Sequence, residues 1–282
     1  MTSEPFPVPP ARVLVAVDGS HAAEAAVTVA ARLAAAHRTA LDVVHVVGAP
    51  IAPHRPGGDP LPAAVALAGA VAPGLAVRPL ARTGAATSVL RDLARDYAVV
   101  VLGSRGHGVL ADTAVGSHAI DLAGAIGCPL LVVRPGADRL RRGGPVVAAL
   151  AGDGSDPAVL DFAFAEAALR GVGLVAVHAR SRRPFSVGRL LLAVVAPTAS
   201  PTPAESVADE LAPWRSWHPE VDVHIDVRPG NPAAAVLETA RGASLLVLGS
   251  RGRGPRAGLV LGSVSQAVLH HAHCPVALVP AG

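Results

Sequence analysis

The chain contains no lysine; all 24 of its basic residues are arginine. A Walker-type phosphate loop ends on a lysine that reaches the phosphates, so that motif is excluded. Schiff-base chemistry and lysine-dependent phosphoryl transfer are excluded with it. Aromatic residues make up 2% of the sequence against 51% hydrophobic, so the core must be built from Ala, Val and Leu. Long apolar runs are missing as well. Runs such as residues 190–196 fall far short of the ~20 residues a spanning helix needs. The opening MTSEPFPVPP has neither a basic region nor a continuous apolar one, which argues against a secretory signal. We therefore expect a soluble, cytoplasmic chain that does not engage a membrane. The net charge of +3 is slight, and dense Arg runs and stacking aromatics are lacking, so nucleic acid is not an expected partner. Only two cysteines occur, Cys128 and Cys274, each followed by Pro and an apolar run. They stand 146 residues apart and read as two copies of one buried position rather than a redox pair.

What is present is a repeat. Residues 99–117 read VVVLGSRGHGVLADTAVGS, a hydrophobic strand that empties into a glycine-rich loop and then a helix start. Residues 245–263 read LLVLGSRGRGPRAGLVLGS. Gly103, Gly106, Gly108, Gly116 and Ser117 thus return as Gly249, Gly252, Gly254, Gly262 and Ser263. A lone glycine pair would be weak, but a spaced set duplicated after two matching strands is specific.

Apolar runs bounded by turn residues predict strands at residues 12–17, 40–47, 77–80, 99–102 and 129–134. Helical spacing predicts helices at residues 21–37, 61–71, 86–97 and 117–126 between them. A charged, glycine-flanked stretch at 136–144 reads as a linker, after which the pattern restarts. The second copy predicts strands at 146–150, 173–178, 221–227 and 275–279, besides the one opening at 245. It predicts helices at 161–170 and 205–217. Residues 180–203 form an insertion longer than its counterpart. Strands alternating with helices imply parallel pairing with right-handed crossovers. We expect two α/β units, residues 1–137 and 145–282.

Ligands of an open parallel sheet bind at the carboxyl ends of its strands, where the strand order reverses. With an order of 3-2-1-4-5, Asp18 and the Gly103 loop meet there in the first unit, and Asp153 and the Gly249 loop in the second. Glycines let successive backbone N–H groups line a concavity that suits phosphate oxygens. Ser117 and Ser263 stand at helix starts, which favour anions, and Arg105 and Arg251 add positive charge. Asp18 and Asp153 are of the right type to accept hydrogen bonds from a ribose or base. The plainer alternative makes the glycines turn residues and the aspartates helix caps.

Asp18, the Gly103-x2-Gly106-x9-Gly116-Ser117 set and Cys128-Pro129 resemble the ATP-binding branch of the universal stress protein family. Asp153, Gly249-x2-Gly252-x9-Gly262-Ser263 and Cys274-Pro275 repeat the resemblance. It implies two tandem five-stranded parallel-sheet α/β sandwiches of strand order 3-2-1-4-5, paired through their fifth strands as an intramolecular pseudo-dimer. It also leaves room for a homodimer. ATP, with Mg2+ as an optional companion, is the ligand it implies, and a nucleotide-dependent regulator or interaction module of a stress response is the role. By the same resemblance, backbone at Val46 and Ala179 contacts adenine, while His118 and Val264 lie beside the phosphates. Departures fall in the second unit: Gly152 precedes Asp153 where Val17 precedes Asp18, Pro229 stands for Thr83, and Pro255-Arg256 replaces Val109-Leu110.

Hydrolysis needs a metal ligand set and a group that positions water. Only Asp112 offers one inside the first loop, and its counterpart is Gly258. His45 and His178 lie within strand runs and read as packed. His270, His271 and His273 stand before Cys274, but their counterparts are Gly124, Ala125 and Gly127, so we expect a helix end rich in His and no metal site. The expectation is binding without efficient turnover; a slow ATPase or a scaffold without nucleotide are the alternatives.

Overall fold

Ten short runs of Val, Leu and Ala become the strands of one continuous sheet in a computed structural model, which describes residues 12–48, 58–104, 117–137, 143–180, 202–250 and 261–280. The strands are β1 (Val13–Ala16), β2 (Leu41–Val47), β3 (Val77–Thr83), β4 (Val99–Gly103) and β5 (Leu130–Val133), then β6 (Val146–Leu150), β7 (Leu174–Arg180), β8 (Val223–Pro229), β9 (Leu245–Gly249) and β10 (Val276–Val279). Their spatial order is β3-β2-β1-β4-β5-β10-β9-β6-β7-β8. Each unit is therefore a parallel 3-2-1-4-5 sheet, as expected. The two units join where β5 and β10 pair antiparallel, with Leu131 opposite Ala277, Val132 opposite Val276 and Leu130 opposite Leu278. Leu131 and Ala277 are each other's copies in the repeat, so a pseudo-twofold axis passes between them. The register is that of an isologous interface built inside one chain.

The α-helices among the described residues are α1 (His21–Ala36), α2 (Leu61–Val71), α3 (Ala86–Leu93), α4 (Ser117–Ala123), α5 (Pro157–Arg170), α6 (Pro203–Trp217), α7 (Pro232–Thr239) and α8 (Ser263–His271). The first face of the sheet packs against α1, α2, α5 and α6, and the second against α3, α4, α7 and α8. Both hydrophobic layers run through both units without a break. Coverage on two faces explains why central strands such as β4 and β9 are unbroken apolar runs. With so few aromatics, close packing comes from alanine. Ala26, Ala30, Ala31 and Ala34 of α1 are almost fully buried and let that helix lie close on the sheet.

Several boundaries differ from the sequence-based expectation. Strand β3 continues through Arg82 and Thr83, pairing Val46 with Arg82 and Val47 with Thr83. Its polar residues hide the strand because it is an edge. Helix α5 starts at Pro157 rather than 161, and α6 at Pro203 rather than 205. A capping box marks the start of α6, with Thr202 Oγ1 accepting from the Glu205 N–H and the Glu205 carboxylate accepting from the Thr202 N–H. Helix α3 gives way at Ala94 to a single 3-10 turn. Residues 181–201 of the insertion at 180–203, and residues 138–142 of the linker, lie outside the described residues. Cys128 and Cys274 are both buried and free, at matching positions beside β5 and β10. Burial pushes each thiol up to about 11, so neither is poised for redox work.

Candidate functional site

The strand order reverses between β1 and β4, and again between β6 and β9. These are the two crevices where a ligand is expected. In the first, β1 ends at Ala16 and the chain turns off through Asp18 and Ser20 into α1. Asp18 Oδ1 accepts from the Ser20 N–H at 3.0 Å and from Ser20 Oγ at 2.6 Å. Ser20 Oγ in turn accepts from the Ala23 N–H at 3.2 Å and caps α1. Ser20, not Asp18, is the cap; Asp18 orients it from an exposed position at the mouth of the crevice.

Strand β2 outruns β1. The Val17 N–H donates to the Val44 carbonyl at 2.9 Å, and the Gly84 N–H donates to the Val47 carbonyl at 3.0 Å on the opposite side. Because peptide groups alternate along a strand, Val46 turns its backbone to the side of Val44, where β1 has ended. Ala179 holds the equivalent place on β7, and both residues are half-buried. His45 and His178 donate through Nδ1 to the carbonyls of Val17 at 2.8 Å and Leu150 at 3.2 Å. Each therefore has a structural bond that fastens the end of one strand to its neighbour.

The same two bonds correct the sequence alignment of the second unit. Val13 pairs with Leu41 and Val146 with Leu174, so His178 stands opposite Leu150 as His45 stands level with Val17. The counterpart of Val17 is thus Leu150 and not Gly152. Ala151 and Gly152 are two extra residues that carry Asp153 farther from its strand. Gly152 has φ +69°, and a Cβ there would lie 2.6 Å from His178 Nδ1. The Asp–Ser turn survives the displacement, with Asp153 Oδ1 accepting from the Ser155 N–H and Oγ at 3.2 and 2.6 Å. The helix entry does not. Asp156 is the first residue before α5, and its Oδ2 accepts from the Ala151 N–H at 2.5 Å.

At the other wall, Gly103 ends β4 and Gly249 ends β9. A Cβ on Gly103 would sit 2.7 Å from the Ala22 carbonyl carbon, so this glycine serves the close approach of α1 to the sheet. The plainer alternative accounts for that one residue. In the second unit both ends of the loop are described. The Gly262 N–H donates to the Ser250 carbonyl at 3.3 Å, and Ser265 Oγ donates to the Gly249 carbonyl at 2.8 Å. These bonds hold the start of α8 against the end of β9. Gly262 is the N-cap residue, and no described side chain caps the helix, whose exposed Ser263 and half-buried Val264 begin the first turn. In the first unit α4 begins at Ser117 and continues through His118. Arg105, Gly106, Gly108, Gly116, Arg251, Gly252 and Gly254 lie outside the described residues.

Two groups at these loops escaped the sequence reading. Ser104 and Ser250, the residues after Gly103 and Gly249, are 1% exposed, and neither hydroxyl has a hydrogen-bond partner among the described residues. An unmet buried hydroxyl costs about 1–3 kcal/mol, and native proteins keep few of them. Here the same orphan occurs twice, at the foot of both glycine loops. The signal was present in the repeated Gly-Ser-Arg-Gly, but a serine within a glycine loop reads as a turn residue.

Comparison with known proteins agrees with the architecture. The model of the universal stress protein family matches twice, at residues 10–134 and 144–280. A universal stress protein of Mycolicibacterium smegmatis is 33% identical, over 95% of this chain and 96% of its own length. One from Mycobacterium tuberculosis is 34% identical, over 94% and 95%. The crystal structure of a universal stress protein from Archaeoglobus fulgidus superposes with a TM-score of 0.69 at 18% identity, covering 96% of this chain and 98% of that one, which speaks to fold alone. Two family matches in tandem, each a complete 3-2-1-4-5 unit, place this chain in the universal stress protein family.

Proposed function

We propose that the chain binds ATP at the two crevices and acts as a nucleotide-dependent regulator or interaction module in a stress response. The observation that carries this reading is the pinning of an uncapped α8 to the end of β9 by the Gly262–Ser250 and Ser265–Gly249 bonds. It sets free N–H groups and the positive end of a helix dipole beside the strand-order reversal, where an anion is favoured. The hydroxyls of Ser104 and Ser250 are polar groups at the same place without a partner among the described residues. The residues fit a nucleotide: Asp18 and Asp153 offer carboxylate acceptors to a ribose, and Val46 and Ala179 offer backbone groups to a base. Ser117, His118, Ser263 and Val264 belong to the phosphate end in this reading, and we assign the loop glycines, Arg105 and Arg251 to the same role from their place in the sequence alone.

Binding rather than turnover is the proposed activity. With no lysine in the sequence, and with His45 and His178 engaged to backbone carbonyls, proton-transfer groups do not gather at either crevice among the described residues. The units, taken as residues 1–137 and 145–282, form the internal pair, and the proposed location is the cytoplasm. The test is to denature the purified protein, identify and count any nucleotide released, and assay added ATP for binding and hydrolysis. Bound ATP or measurable affinity without repeated turnover supports the reading. Absence of both binding and bound nucleotide removes it, and multiple turnovers per minute would make the protein an ATPase.

A further inference from the structure

Where the carboxyl end of β5 meets the amino end of β10, the two units enclose a cleft of about 500 Å³. Its lining is basic and comes from both. Arg134, just after β5, belongs to the first unit; Arg241, His270, His271 and His273 belong to the second. Leu237 of α7 supplies an apolar wall. The Arg134 guanidinium donates to the His270 carbonyl in the last turn of α8. That bond fixes the cation of one unit over the histidines of the other. Glu238, the single acidic group of the lining among the described residues, is already committed to Arg228 at 3.1 Å. No described residue pairs with the side chains of Arg241 or His273, and His271 has only the ring of His270, centroid to centroid 6.4 Å.

The cleft is one-sided. Across the pseudo-twofold axis, the histidines are replaced by Gly124, Ala125 and Gly127, and Arg134 by Pro280. The pairing of β5 with β10 does not call for the histidines or Arg134, whose counterparts carry no charge; Arg241 alone keeps a counterpart, Arg95, which lies 3.9 Å from Asp92. Arg241, with no described partner, thus converges with Arg134 and three imidazoles on a space within the ~300–1,000 Å³ of ligand sites. We propose that this cleft is a second, separate binding site for a small phosphorylated molecule. Its phosphate would be held by Arg241 and Arg134, its charge complemented by His271 and His273, and its body laid on Leu237. Guanidinium forks match phosphate oxygens, and imidazoles strengthen the hold as they gain charge at lower pH. The charged and titratable groups facing the site are Arg134, Arg228, Glu238, Arg241, His270, His271 and His273. A ligand here touches both units and would stabilise their pairing by mass action.

The test is titration of the full chain with inorganic pyrophosphate by calorimetry, at neutral pH and about one unit lower, with and without saturating ATP. Arg241→Gln combined with His271→Asn is expected to weaken pyrophosphate binding about tenfold or more and to flatten its pH dependence. Binding of ATP at the crevices should be unchanged. Both side chains end at the surface, so the denaturation midpoint should hold, and His273→Asn provides an independent second variant. Pyrophosphate that does not bind, that ATP displaces completely, or that binds these variants like the parent would overturn the proposal. The ATP arm separates its failure from failure of the crevice reading.

Discussion

His37, the residue that ends α1 in the first unit, donates from Nε2 to Oε1 of Glu166 in α5 of the second at 2.7 Å. Glu166 is 1% exposed, and its other oxygen accepts two bonds from Arg170 at 2.9 and 2.7 Å. The carboxylate is thus a clasp between units on the first face of the sheet, as Arg134 and the His270 carbonyl are on the second. Burial raises the Glu166 pKa, but the His37 bond and the Arg170 charge outweigh it and hold the group below its ordinary value. A depressed carboxyl contributes stability that is complete above the unfolded value, about 4.3, and is lost as pH falls through the folded one. Glu166→Gln is expected to cost about 1–3 kcal/mol at neutral pH and to converge with the parent as pH falls below that range. Urea midpoints taken against pH check this; parallel acid limbs would contradict it.

The second buried carboxylate lies inside the first unit. Asp42 of β2 is 1% exposed and is held by Arg78 of β3 at 3.1 and 2.5 Å and by the Tyr97 hydroxyl at 2.5 Å. Burial, followed by the bond to Asp42, pushes Tyr97 up to about 12 against the opposing effect of Arg78. Tyr97 is the only tyrosine, so phenolate absorbance reports it alone. The folded protein should show no phenolate at the ordinary value of about 10. Tyr97→Phe should lower stability by about 1–2 kcal/mol, because Asp42 keeps Arg78. Ionisation near the ordinary value in the folded state would show that the hydroxyl is not locked to Asp42.

Repetition made the architecture legible. Each of the β4, β9, β5 and β10 runs appears in duplicate, and buried parallel strands are continuous apolar stretches that stand out. Strand β3 was read short because its edge position leaves Arg78, Arg82 and Thr83 polar. The displacement of Asp153 was misread because Asp-Gly-Ser aligns as text, whereas the alignment that matters is the ladder, Val13 to Leu41 and Val146 to Leu174. Contacts between units, His37 to Glu166 and Arg134 to the His270 carbonyl, join residues more than a hundred positions apart and have no local signature. The orphan Ser104 and Ser250 hydroxyls were invisible for a related reason, since lacking a partner is a property of the folded surroundings.

Gly103 separates packing from binding. A Cβ there would meet the Ala22 backbone at 2.7–2.8 Å, and backbone cannot swing aside as a flexible side chain can. Gly103→Val is expected to destabilise the protein by about 1–3 kcal/mol by pushing the first turn of α1 away from β4. Since Asp18 and Ser20 lead into that turn, nucleotide binding in the first unit should weaken along with stability. A chemical denaturation curve and a binding isotherm on the same sample check both effects. Unaltered stability would mean that α1 yields without cost.

The two extra residues, Ala151 and Gly152, make the crevices unequal, and the inequality should be measurable. Asp18 leaves its strand after Val17, whereas Asp153 leaves after Leu150, Ala151 and Gly152, and the helix beyond it starts from Asp156 instead of a capping serine. A carboxylate displaced by two residues cannot hold a ribose in the same relation to the glycine loop. We therefore expect two classes of ATP site, the first unit binding more tightly. Asp18→Asn keeps an Oδ1 acceptor for Ser20 but removes the charge, and should weaken the tighter class several-fold; Asp153→Asn should affect only the weaker one. Deleting Ala151 and Gly152 together removes a positive-φ residue and returns Asp153 to the position of Asp18. In calorimetry this should draw the two classes toward one affinity. If the deleted protein folds with its thermal midpoint intact and the second class stays weak, the cause lies in the altered Pro255-Arg256 stretch of the loop rather than at Asp153.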